Sequence, residues 1–287
     1  MSNIYDRRYS INRSNWKKTY GYTGIKPRYT QIVDVHTNVS YSIDINNTIR
    51  ERGYFEIQQA EGDVISVPYV WDPSSLGLAY WFDSSDTSTL TISTTVSAWA
   101  NKGTLGGSAT NTAATQQPTW SASDLGYPGI RFDGSDDSLS IAGSSFTAAE
   151  MYVIFQINAW PGNAGAVYSY GTAGASNHHP YFDGLVYDGF ATNLRKDGIS
   201  VTAGTFTSPT LMNILSAPSN YVMRINGTQI YSNAVNVVSN GTTLFLGKGF
   251  SIPLAGVIRE FGVRGTAFTA NERTQLYEYV KQKWGVP

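Results

Sequence analysis

The stretch Tyr221–Tyr231, "YVMRINGTQIY", constrains the fold more than any other. Asn226-Gly227 is the pair best suited to positive φ at both central positions of a two-residue turn, and the residues on either side alternate. That pattern belongs to an antiparallel hairpin, and related strand signals recur at short intervals from residue 71 onward. "EMYVIFQINAW" offers Met151, Val153, Phe155 and Ile157 as an inward row, "TTLFLGKG" adds Leu244 and Leu246, and "LAGVIREFGV" follows. "GIRFDGSDDSLSI" reads as another hairpin, with Ile130 and Phe132 on one face, a turn at Asp133-Gly134 and a return through Leu139 and Ile141. The Ser/Thr/Gly-rich stretches 84–95 and 103–115 read as long surface loops, and no repeat period is present. Only 14% of the residues are charged, while Gly, Ser, Thr, Asn and Tyr are plentiful, which suits short strands and tight turns.

The 287 residues contain no cysteine, which excludes disulfides, thiolate chemistry and Cys-based metal sites. The opening "MSNIYDRRYS" has no apolar signal core, and no apolar run approaches a membrane span. A soluble protein made in a cytoplasm, without a membrane partner, is expected.

Net charge is −1, but residues 1–31 hold seven basic side chains against Asp6, a balance of +6, so the remainder carries −7. Residues 1–30 interleave Arg7, Arg8, Arg13, Lys17 and Lys18 with Tyr5, Tyr9, Trp16 and Tyr20 and show no steady period. A segment with too little apolar surface for its own core orders only against something else. The reading is an anchoring arm whose partner-binding residues are Arg7, Arg8, Arg13, Trp16, Lys17 and Lys18. Phosphate neutralisation and base stacking would use the same residue types. No nucleic-acid module accompanies them, and the acidic body would repel a phosphate backbone, so an acidic protein surface is the expected counterpart. Residues 31–70 alternate in "QIVDVHTNVSYSIDI" and again around Glu61-Gly62, giving a small β segment between arm and body. "WDPSS" at 71–75 marks the boundary.

The C-terminal "TANERTQLYEYVKQKWGVP" is the one plain helix. Thr269 and Glu272 form a capping box, Leu276, Val280 and Trp284 recur on one stripe with Tyr277 beside them, and Gly285 can end the helix. About fifteen residues are marginal alone, so the stripe must be docked on the sandwich.

"LGLAYWFDSSDTSTLT", "VSAWANKG", "QPTW", "GYPGIRFDGSDDSLSI" and "AGVIREFGVRGTAFTANERTQLYEYVKQKWGV", in that order, resemble the concanavalin A-like lectin/glucanase (LamG-like) jelly-roll domains. The resemblance covers about residues 71–287 and is in particular to the group common in bacteriophage tail and other virion proteins and in large bacterial surface proteins. It implies an all-β, two-sheet antiparallel jelly roll with its last helix against the outside of the sandwich. It further implies a non-enzymatic structural protein of a tailed bacteriophage virion, a fibre, decoration or adhesion component anchored by residues 1–30 to other virion proteins. Such a protein would be homo-oligomeric and could display its lectin-like domain to a host surface glycan. The alternatives are a glycan-active enzyme or free carbohydrate-binding module, and an architectural domain that binds no sugar.

Retaining glucanases of this superfamily carry a Glu-x-Asp-x-x-Glu strand that sets two carboxylates about 5 Å apart. The nearest string here, Glu61-Gly-Asp63-Val-Ile-Ser66, lacks the second glutamate, so no catalytic residue and no enzyme activity is expected. Asp83, Asp86, Asp133, Asp136 and Asp137 offer hard oxygen ligands of the kind calcium takes, but Asp before Gly or Ser more often forms turns. No cofactor or metal is assigned. The most ligand-like loop is "SYGTAGASNHHPYFDG", where His178, His179, Tyr181 and Asp183 fall within six residues, with Trp160 as a second stacking surface. Adjacent histidines point to opposite faces of an extended chain, which argues against a two-His metal site.

Overall fold

The computed structural model describes residues 71–158, 165–170, 178–179, 186–190, 206–239, 241–249 and 253–287, and the backbone of five strands before them. Two compact units are present, Met1–Trp71 and Asp72–Pro287. In the first, β1 (Tyr9–Asn12), β2 (Tyr29–Asp34) and β3 (Val39–Asp44) form an antiparallel sheet in that order. There β4 (Tyr54–Gln58) pairs with β5 (Val64–Pro68), Gln58 opposite Val64. Arg7, Arg8, Arg13, Trp16, Lys17 and Lys18 lie outside the described residues.

The second unit is a two-sheet antiparallel β-sandwich with one C-terminal helix. Its first strands are β6 (Tyr80–Asp83), β7 (Leu90–Ile92), β8 (Val96–Ala100), β9 (Ser108–Thr110), β10 (Thr119–Asp124), β11 (Tyr127–Asp133) and β12 (Leu139–Ala142). There follow β13 (Ala149–Ile157), β14 (Tyr168–Ser169), β15 (Thr210–Ala217), β16 (Asn220–Ile225), β17 (Thr228–Asn233), β18 (Thr243–Leu246), β19 (Ala255–Arg264) and the helix α1 (Ala270–Trp284). The larger sheet runs β10-β11-β19-β13-β15-β16-β17, with β6 also paired to β19, and the smaller runs β14-β18-β12-β9-β8-β7.

Period-two alternation sends Met151, Val153, Phe155 and Ile157 of β13 into the core between the sheets, where Phe82, Trp99, Phe132 and Phe261 also lie. The opposite face of β13, including Glu150, Tyr152 and Ile154, is buried as well. Side chains of α1 reach Glu150 and Glu260 on that face, so the helix lies on the outside of the larger sheet. The turn Asn226-Gly227 joins β16 to β17, with φ of 48° and 76°.

Two expectations need correction. The stretch at 130–141 is not a hairpin, because β11 belongs to the larger sheet and β12 to the smaller. Phe132 and Leu139 meet the same core from opposite sides, and Gly134 turns the corner at φ 84°. A Cβ at Gly134 would lie 2.8 Å from the Cβ of Ala255. Residues 84–95 and 103–115 are not loops throughout, since they contain β7 and β9. Three-residue strands rich in Ser and Thr leave too short an alternation to read.

Candidate functional site

Alternation fixes what the larger sheet shows to the helix. In β15 and β16, Met212, Ile214, Tyr221 and Met223 face the core, so Asn213 and Arg224, opposite one another in register, face outward. The Asn213 amide donates to Met151 O at 3.0 Å and its Oδ1 accepts from Arg224 Nη1 at 3.3 Å.

The helix opposite is built as its local sequence demands. Thr269 Oγ1 accepts from Glu272 N, the Glu272 carboxylate accepts from Thr269 N, and Gly285 ends the helix at φ 64°. Arg264 grips both Glu272 oxygens, and this hydrogen bonding lowers the Glu272 pKa to about 2. Leu276, Val280 and Trp284 are buried on one stripe. Ala270, Arg273, Thr274 and Tyr277, spaced three and four apart, form the adjoining face.

Between that face and the β15–β16 strands lies a groove of about 310 Å³, lined by Asn213, Arg224, Arg273, Thr274 and Tyr277 among others. The Tyr277 ring packs against Gly227, where a Cβ would sit 3.0 Å from it, and the Tyr277 hydroxyl donates to Pro287 O at 2.6 Å. Lys281 stands over the same ring at 5.2 Å. Arg273 binds both oxygens of the fully buried Glu150 at 2.7 Å, and Phe268 N donates to the same carboxylate at 2.7 Å. Arg224 approaches Glu150 no closer than 3.8 Å. Burial and then the Arg273 charge lower the Arg224 pKa, with Glu150 opposing. The hydrogen bonds to Glu150 raise that of Arg273.

Glu260 anchors the other end of the helix. Its buried carboxylate accepts from five donors: the Trp81 and Trp284 indoles, the Tyr152 and Tyr279 hydroxyls, and Lys283. Lys283 also pairs with Asp83 at 2.8 Å. A carboxylate so enclosed is a structural anchor.

Of the residues singled out on the ligand-like loop, Trp160, Tyr181 and Asp183 lie outside the described residues. His178 and His179, also on that loop, are 5% and 0% exposed. His179 stacks on Tyr168 and its Nδ1 accepts from Val167 N, and burial lowers its pKa to about 4. Tyr168 and Tyr221 both donate to the buried Asp188. Three of the aspartates accept backbone hydrogen bonds in turns: Asp83 from Ser85 N, Asp133 from Ser135 N, and Asp137 from Asp133 N. Asp86 pairs with Lys102 at 2.8 Å.

No protein-family model matches the chain, and no curated protein does. Among solved structures it is similar to domain 4 of AbnA, a GH43 extracellular arabinanase from Geobacillus stearothermophilus, in complex with arabinotriose. The identity is 14%, the match covers 70% of this chain and 98% of that one, and the TM-score is 0.49. It is also similar to the binding domain of botulinum neurotoxin DC in complex with SialylT, at 10% identity, 73% and 54% coverage and a TM-score of 0.45. A Trypanosoma rangeli sialidase in complex with 2,3-difluorosialic acid matches at 10% identity, 89% and 48% coverage and a TM-score of 0.46. The chain thus spans about half the length of the last two.

The β-sandwich part of the sequence resemblance stands on the two antiparallel sheets themselves, while its LamG-like and bacteriophage part has no support in the comparisons. The expectation that the chain is not an enzyme is corrected, because glycoside hydrolases are among the structures it is similar to. The absent Glu-x-Asp-x-x-Glu strand excludes one catalytic layout only. None of these likenesses carries an activity or a substrate to this chain.

Proposed function

We propose that the β-sandwich is a glycan-binding domain whose ligand lies in the groove between α1 and the β15–β16 strands. The groove itself carries this reading: a cavity of about 310 Å³ that brings a tyrosine ring, an amide and two guanidinium groups together. Sugar recognition needs an aromatic surface for stacking and a few polar groups held in place. Asn213 is locked by Met151 and Arg273 by Glu150, so both are preorganised. The virion role implied by the resemblance has no comparable feature behind it among the described residues.

A glycan array probed with the full chain and with Thr274→Trp tests the proposal. Thr274 is exposed and lines the groove from the helix side, so the larger ring fills the groove without touching the buried stripe. The wild type should bind at least one glycan class, and the variant should bind it about tenfold more weakly or worse, with an unchanged melting temperature. Binding untouched by Thr274→Trp would move the site elsewhere, to the loop at 171–184 among other places. Absence of binding to every glycan would favour the architectural role.

A further inference from the structure

We infer that this groove selects an acidic sugar, whose carboxylate is seated on Arg224. The inference rests on the glycan-binding reading above. The groove and the carboxylate beside it hold two guanidinium groups, Arg224 and Arg273, against one carboxylate, Glu150. Glu150 is already taken: Arg273 covers both of its oxygens and Phe268 N adds a third hydrogen bond. Arg224, at 3.8 Å, is beyond hydrogen-bonding distance of it. A guanidinium group has five N–H donors, and among the described residues the one hydrogen bond of Arg224 is that to Asn213. Its side chain is only 16% exposed, so water replaces those partners poorly.

Among the described residues no other carboxylate fills the gap. Glu272, on the same helix, is gripped by Arg264, and Glu278 pairs with Lys281. Buried charges are ordinarily paired, and among the described residues Arg224 has only the distant Glu150, 3.8 Å away and already committed to Arg273, so no carboxylate meets its fork. A planar carboxylate meets the guanidinium fork in two parallel hydrogen bonds, while the sugar ring lies toward Tyr277. The bland alternative is a solvated arginine on a sheet face, but most of this side chain is out of solvent and the groove opens beside it.

Titration calorimetry on the full chain separates the readings. The probes are trigalacturonic acid and sialyllactose, each beside its neutral counterpart, the methyl-esterified trimer and lactose, with sulfated lactose as a third arm. The acidic probes should bind about tenfold to a hundredfold more tightly than the neutral ones, and added salt should narrow the difference. Arg224→Met should erase the preference, and so should Arg224→Lys, which keeps the charge but loses the fork. The second variant decides the matter if the first does not fold. Equal binding of neutral and acidic probes, abolished by Thr274→Trp and indifferent to Arg224, overturns the acidic preference and leaves the groove reading standing. Tighter binding of sulfated lactose than of either carboxylate probe overturns the carboxylate assignment. Binding of no probe, or acidic binding that survives Thr274→Trp, overturns both.

Discussion

His179 shows how this core treats a titratable group. Its ring lies 4.9 Å from that of Tyr168, tilted by 29°, and it is fully buried. Burial holds its pKa near 4, although Asp188 acts to raise it and His178 lowers it slightly further. The unfolded chain titrates near the ordinary value of 6.5, so between about pH 4 and 6.5 the unfolded state binds more protons than the folded one. Stability from this residue is therefore complete above pH 6.5 and is lost as the pH falls toward 4. Glu272, whose pKa is lowered to about 2, acts in a lower window: its contribution is present above 4.5 and lost as the pH falls toward 2. We expect the urea midpoint to fall between pH 6.5 and 4.5 in the wild type and to flatten in His179→Phe. A wild-type midpoint constant over that range would contradict the assignment. The burial of His178 and His179 was not legible in the sequence, because glycines and mixed polar residues also describe an exposed loop.

At the scale of elements, α1 divides its stability between a local cap and a distant anchor. Thr269→Ala removes one side-chain acceptor and should cost about 1 kcal/mol. Trp284→Ala removes a buried ring together with a donor to Glu260 and should cost about 3–5 kcal/mol. Urea denaturation of the two variants checks the ranking, and equal losses would show that the helix is not held by its docked stripe. The helix was legible because cap, stripe and terminal glycine are all local, and the β16–β17 hairpin was legible for the same reason. Turn residues at Asp133-Gly134 announce a reversal, but they do not say which sheet receives the chain afterwards. Nor does the alternation of β15 and β16 reveal that the outward Asn213 and Arg224 will meet Arg273 and Tyr277. The stripe predicted that the helix docks, and only the assembled sheet shows that its neighbouring face forms a groove.

At the scale of the molecule, the second unit has two sheets and a hydrophobic core of its own. A chain of residues 71–287 should therefore unfold in a single cooperative transition, read by calorimetry and by tryptophan fluorescence together. Non-coincident transitions would show that the sandwich depends on residues 1–70. The sandwich itself was legible from strand and turn signals, whereas the order of its strands is set by long-range pairing. One such pairing has a consequence at the ribosome. β19 joins β6, β11 and β13, and the Trp81 indole waits 179 residues for Glu260 to accept it. During synthesis those three strands stand as open edges, and Glu150 precedes its partner Arg273 by 123 residues. The larger sheet cannot close strand by strand as the chain emerges. It closes late, once β19 and α1 are both available, so a nascent chain that stalls before them is exposed to aggregation for as long as the pause lasts.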